Sequence, residues 1–332
     1  MSAGSTDAAS TLPAAPPAGS PAPVVAADGS PALPATPLPP PFVDQPVPPV
    51  DGARRIVSLA PSVTETIFAL GAEERLVAVS DQCEIPPGAR ELPRAGSYLE
   101  PSVETILSLR PGVVLGVPTP SNRVAVERLR TLGVPVAMVG EATLEDAWRA
   151  MIEVGRWVGR EPEARTLVER LRREIEEVRV RSAHRGSRRV LFVVGHDPLL
   201  VVGEGTFLDQ LLRATGATNV AAGAGQRWPR LSLEAVVAGA PDVILDGAMG
   251  SEGGSALFAW WESFESLPAV REKRIRPVRS ASLLRPGPHL GESAREIETL
   301  VWEGTLPFVP PARESTAAVP GAAGGGHGAG AP

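Results

Sequence analysis

Glu104 and Glu234 pose the first chemical question, because each stands two places after a serine at the start of a helical pattern. The segments around them echo one another. Pro101-Ser102-Val103-Glu104-Thr105-Ile106-Leu107 runs on to Pro111-Gly112-Val113-Val114-Leu115. Leu231-Ser232-Leu233-Glu234-Ala235-Val236-Val237 runs on to Pro241-Asp242-Val243-Ile244-Leu245. Every position of the first block has its counterpart 130 residues later, 104 with 234 and 115 with 245. An acid in the first turn of a helix gains about 0.3–1 kcal/mol from the helix dipole, which accounts for either glutamate alone. A register shared over the whole block implies more: equivalent helix–strand units in two lobes. Matching carboxylates on matching lobes suit one symmetric partner.

Bond-making chemistry has no such signature here. The single lysine, Lys273, lies far from any glycine-rich loop, so there is no Walker-type phosphate site. No Gly-x-Ser-x-Gly elbow, His-Glu-x-x-His pair or cluster of Cys and His occurs. Gly203-Glu204-Gly205 precedes a helical pattern as a dinucleotide fingerprint does, but Leu208 occupies the place of the third glycine. A binder is expected rather than an enzyme. A Rossmann-type enzyme and a cytoplasmic ligand sensor stand as alternatives from other classes.

Composition narrows the partners. The balance of 32 Lys+Arg against 38 Asp+Glu gives a net charge of −6, and no basic run interleaves with aromatics. Nucleic acid is therefore not expected. Cys83 is the only cysteine, which excludes an internal disulfide and a cysteine zinc site, and it reads as an inert thiol. No run of 18 apolar residues exists, so no membrane span is expected. Val24-Val25-Ala26-Ala27 is too short for a signal-peptide core and no basic segment precedes it. The chain is then either cytoplasmic or written here without its export signal.

The elements that must position these groups alternate between strand and helix. Nineteen of the 36 Pro fall at the two ends, so residues 1–53 read as a disordered Pro/Ala-rich tether and 306–332 as a disordered tail. Residues 54–158 form an N-terminal lobe. Its strands begin at Ile56, Val77, Val113 and Val136, and a capping box is expected at Ser62-Val63-Thr64-Glu65. Residues 187–305 form a second lobe with strands at Val190–Val194, Val243–Leu245 and Ile275–Val278. Apolar strands alternating with helices predict parallel sheets covered on both faces, hence two Rossmann-like α/β lobes. Residues 159–186 bridge them. Pro162–His184 reads as one helix about 33 Å long, with a stripe of Leu167, Leu171, Ile175 and Val178 and flanking pairs Glu169/Arg173 and Glu177/Arg181. Ahead of it, Thr143-Leu144-Glu145-Asp146 caps a helix that ends near Val158.

One series of residues carries a family likeness. It comprises Ser58-Leu59-Ala60-Pro61-Ser62-Val63-Thr64-Glu65, Leu70-Gly71-Ala72, Val79-Ser80 ahead of Pro86-Pro87, Glu104 to Leu109-Arg110-Pro111, and Trp228-Pro229 ahead of Ser232-Leu233-Glu234. Over residues 54–304 the series resembles the periplasmic cobalamin-binding proteins of ABC importers. The wider helical-backbone group also carries iron siderophores and haem.

The resemblance implies a class III substrate-binding protein, whose two lobes are joined by a long rigid helix with ligand in the cleft. It implies a monomer in the periplasm or on an extracytoplasmic membrane face, delivering a corrinoid or another metal chelate to a dimeric ABC permease. It implies no cofactor beyond that ligand. Glu104 and Glu234 fall on the positions that dock to the permease. Tyr98 and Trp228 fall on aromatic positions that pack on the ligand, where flat rings supply area at little entropic cost. Asp81, Gln82, His196, Arg285 and His289 are the other cleft-side candidates, and a His in such a loop suits a metal centre. Gln82 and Val117-Pro118 replace aromatic residues of the family, so the cleft is expected to be less aromatic. Little lobe closure is expected about a stiff bridge.

Overall fold

The computed structural model describes residues 48–49, 51–248 and 260–303. Nearly all of the expected tether, all of the expected tail and most of the loop after β8 lie outside the described residues.

Strands β1 (Ile56–Ser58), β2 (Leu76–Val79), β3 (Val113–Gly116) and β4 (Val136–Met138) form one sheet in the order β2-β1-β3-β4. All its pairs are parallel. Parallel neighbours need a crossover, and helices α1 (Pro61–Ala69), α2 (Val103–Ser108) and α3 (Arg123–Thr131) supply the three. Two long helices follow, α4 (Leu144–Trp157) and α5 (Glu161–Ser182). Thr143 caps α4 in a full capping box with Asp146, as its sequence predicts.

The second sheet holds β5 (Arg189–His196), β6 (Leu199–Val201), β7 (Thr218–Asn219), β8 (Val243–Asp246) and β9 (Ile275–Pro277). Its order is β6-β5-β8-β9, with β7 also on β5. Helices α6 (Phe207–Ala214) and α7 (Leu233–Gly239) precede β7 and β8, and helix Leu290–Trp302 closes the lobe. The sheet is not wholly parallel: β6 runs antiparallel to β5. Only Asp197 and Pro198 separate them, too short a link for the dozen or so residues of a parallel crossover.

Alternating strand residues divide the interior. In β5, Val190 and Phe192 face one cluster while Leu191 and Val193 face another; Val243, Ile244 and Leu245 of β8 do the same. In β3, Val113 and Leu115 join the first cluster and Val114 a third. That first cluster is common to both lobes. It runs from Ile56 and Val113 through Trp148, Trp157, Leu167 and Leu171 to Phe192, Leu245 and Ile297. The helix α5 is thus the middle of a continuous apolar core, and rotating one lobe against the other would tear that core.

Polar links reinforce the junction. Phe207 N donates to Ala142 O at 2.9 Å, and Leu144 N to Gln210 Oε1 at 2.7 Å. Gly155 lets α4 and α5 close up, since a Cβ there would lie 2.5 Å from that of Ala164.

Two local expectations give way. The capping box at Ser62–Glu65 does not form: α1 begins at Pro61 behind Ala60, and both Ser62 and Glu65 are buried. Proline in the first turn needs no N–H partner, so it starts the helix and turns these polar groups inward. On α5, Arg181 bonds Glu298 of the C-terminal helix at 2.7 Å rather than Glu177. The neighbouring helix offers a buried carboxylate, a stronger partner than an exposed one on the same helix.

Candidate functional site

A pocket of about 280 Å³ opens between the lobes, lined by Pro61, Ser62, Gln82, Tyr98, Glu141, Leu284, Arg285 and Pro286. Its residues follow the carboxyl ends of β1, β2, β4 and β9. Ligands of open α/β sheets bind at that edge, where loops converge and helix N-termini point.

Tyr98 is fixed by backbone. Its N–H donates to Gln82 Oε1 at 2.7 Å, and its carbonyl accepts from the buried Asn122 Nδ2 at 3.4 Å. Burial and then the negative charge of Glu141 push the phenol up to about 12. Tyr98 therefore meets a ligand as a neutral donor with an apolar ring.

Two carboxyls that sequence reasoning overlooked define the electrostatics. Glu65 is 2 % exposed and accepts from Arg285 Nη1 at 2.8 Å, so it joins the lobes by an ion pair. Burial raises its carboxyl, while the Arg285 hydrogen bond, the Arg285 charge and His289 pull the other way. Its Oε2 has no hydrogen-bond partner. Glu141 follows β4 and takes a hydrogen bond from Ser62. Burial pushes it up to about 7; Ser62 opposes this and the Glu65 charge adds to it. The signal for Glu141 was its place just beyond a strand's carboxyl end. Glu65 was hidden inside the expected capping box.

The other candidates divide between this pocket and places outside its lining. Gln82, Tyr98 and Arg285 line it, and exposed Asp81 precedes Gln82. His289 stands at the start of the C-terminal helix, its Nδ1 3.5 Å from Glu292. His196 ends β5 with Nε2 2.7 Å from Asp246 Oδ2, which also accepts from Trp261 Nε1 at 2.8 Å. Its ring meets Trp260 edge-on at 4.6 Å, so the histidine is held within an aromatic cluster beyond the pocket lining. Trp228 is 42 % exposed and also lies outside the lining.

The loop of Trp228 explains Gly203-Glu204-Gly205. Gly203 N donates to Arg227 O at 2.8 Å, and a Cβ at Gly203 would stand 2.1 Å from Gln226 O. Gly205 has φ +80° and donates to Asp209 beside the Thr206 cap of α6. Both glycines thus have structural duties. Cys83 is buried within 3.1 Å of Thr64 Oγ1 and 3.2 Å of Ser80 Oγ. Among the described residues no group of three or more His, Cys, Asp or Glu is placed to hold a metal ion, and no helix is long and apolar enough to cross a membrane.

The echo survives in three dimensions. Ser102 Oγ accepts from Thr105 N at 3.3 Å and Ser232 Oγ from Ala235 N at 3.2 Å, leaving Glu104 and Glu234 exposed in the first turn. Both units leave their helix through a left-handed residue, Arg110 at φ 46° and Ala240 at φ 39°. Both then re-enter the sheet alike: Gly112 N donates to Arg55 O and Asp242 N to Arg189 O, each at 2.8 Å. Each helix runs back against its strands, so each glutamate stands at the carboxyl edge of its sheet, the edge that also bears the pocket.

Known proteins place the chain. Residues 56–281 match the periplasmic binding protein family model. The vitamin B12-binding protein of Vibrio parahaemolyticus is 26 % identical over 237 residues, 71 % of this chain and 84 % of that one. The solved haem-binding protein RhuT of Roseiflexus sp. RS-1 is 30 % identical with a TM-score of 0.67, covering 76 % of this chain and 99 % of that one. The vitamin B12-binding protein BtuF of Vibrio cholerae has the same fold, with a TM-score of 0.67 at 24 % identity over 77 % and 98 % of the two chains. With two α/β lobes on a shared helical core, an interlobe pocket and a family match across both lobes, this chain belongs to the periplasmic binding protein family.

Proposed function

We propose that this protein is the extracytoplasmic binding component of an ABC importer, that it captures a corrinoid in the interlobe cleft, and that it delivers this cargo to a dimeric permease without chemistry. The observation that carries the reading is the congruence of the Glu104 and Glu234 units, repeated down to hydrogen bonds and the left-handed exits at 110 and 240. Local packing would not demand such likeness in two lobes whose other loops differ, whereas a two-fold partner would. Exposed ion pairs contribute only about 0–1 kcal/mol each, enough to orient a transient complex and let it go.

The corrinoid assignment draws on relatives named as vitamin B12-binding proteins, which align over most of their length. Tyr98 and the apolar groups of Pro61, Leu284 and Pro286 offer the flat, partly apolar wall such a ligand needs. Haem is the second reading, favoured by the 30 % identity to RhuT. Equilibrium titration of the protein with cyanocobalamin and with haemin separates them. Saturable binding of cyanocobalamin supports the first reading; binding of haemin alone overturns it.

A further inference from the structure

The pocket wall is rich in acceptors and poor in free cations. Glu141 presents its carboxyl to the pocket beside Ser62, and Glu65, buried behind the lining, has an Oε2 with no hydrogen-bond partner. Arg285 is the one cation among the described lining residues, and its Nη1 is bound to Glu65. Gln82 spends its carbonyl on Tyr98 N, which leaves its amide N–H groups as donors. A carboxylate arriving on a ligand would therefore find the one guanidinium already charge-paired to Glu65 and a second carboxylate, Glu141, beside it. A carboxamide would find an acceptor for its N–H and a donor for its carbonyl.

We propose that this wall makes the cleft select a chelate whose rim carries carboxamides and reject one whose rim carries carboxylates, with Glu141 as the deciding residue. The inference rests on the corrinoid reading and sharpens it, because corrinoids carry side-chain amides whereas haem carries two carboxylates. Two like charges in one partly buried site disfavour each other strongly. Burial raises Glu141 to about 7 beside Glu65, Ser62 and Tyr98, and Glu65 in turn feels the charges of Arg285 and His289. Rejection is therefore strongest when Glu141 is ionised above pH 7 and weakens below it, where the protonated carboxyl can itself donate.

The test uses cyanocobalamin and each of its monocarboxylic acids, made by partial hydrolysis of the side-chain amides, titrated against the full chain and Glu141→Gln. At pH 8 at least one monoacid binds about tenfold or more weakly than the parent amide. The same penalty falls to about threefold or less in Glu141→Gln, and in the unaltered protein at pH 5.5, since either change removes the opposing charge. Far-UV circular dichroism and a thermal melt report whether the variant has folded, and the pH 5.5 titration needs no variant at all. Monoacids that all bind as tightly as the parent amide at pH 8, or a penalty that survives both changes, overturn the proposal and leave the corrinoid reading standing. Failure to bind cyanocobalamin overturns both.

Discussion

The two helix starts at Ser102 and Ser232 and the pocket they flank obey opposite rules. At the helix starts the lobes are near copies, with the same cap, the same exposed acid and the same backbone exit. In the pocket they differ. The N-terminal lobe contributes Ser62, Gln82, Tyr98 and Glu141, while the C-terminal lobe contributes Leu284, Arg285 and Pro286. Duplicated lobes keep their likeness where one partner with two equal faces would read them. They diverge where an asymmetric small molecule must be gripped. The core between them is neither: one apolar cluster runs through α5 and serves both.

The comparison can be broken, starting with the largest expected effect. Glu104→Ala combined with Glu234→Ala is expected to abolish uptake in a reconstituted transporter while leaving ligand affinity in solution unchanged. Lost affinity would move these residues from the docking face to the ligand. Each single variant should impair uptake to a similar degree if the partner is two-fold.

Next comes the pocket. Arg285→Ala strips Glu65 of its partner, and breaking a buried pair costs about 3–5 kcal/mol. Chemical denaturation at pH 8 should show that loss, and a smaller one at pH 5, where Glu65 escapes by taking up a proton. An equal loss at both would mean that Arg285 acts through packing.

Glu141 gives a milder, signed effect. Its folded carboxyl is raised from 4.5 to about 7. The folded state therefore holds its proton more tightly than the unfolded chain, and stability falls as pH rises between those two values. Glu141→Gln should remove about 1–3 kcal/mol of that decline between pH 5 and pH 8. An unchanged slope in urea denaturation would reassign the decline to other groups. Smallest of all, Ser102→Ala and Ser232→Ala should each cost about 1 kcal/mol. Nearly equal losses in thermal melts would confirm energetic as well as geometric likeness, and unequal losses would limit it.

How much was legible follows from the range of the interactions. The helix at 144–157 was readable because Thr143 and Asp146 bond each other three residues apart. The stripe on α5 was readable because a period of 3.6 exposes which face is apolar. The antiparallel β6 was not, since three residues carry no period of their own and only pairing with β5 makes them a strand. Ser62 and Glu65 were misread because a local capping rule fits them as well as an interlobe ion pair does. Only Arg285, 220 positions away, decides between the two. Trp228 and His196 illustrate the same limit: a residue type suggests a ligand contact, but Gly203 and Asp246 determine where these rings stand.

Taken alone, the sequence determined what short-range physics can encode: two α/β lobes, a long bridging helix, and a repeat at 130 residues that pairs two glutamates. The tertiary structure decided what depends on groups far apart in the chain. It ran one apolar cluster through both lobes, turned Glu65 toward Arg285, and brought Glu141 beside Ser62 and Tyr98 so that burial sets its charge. Apolar periodicity and capping act within one or two turns and are written locally. A buried carboxyl's proton affinity depends on every charge and dipole around it, and only the folded chain assembles them.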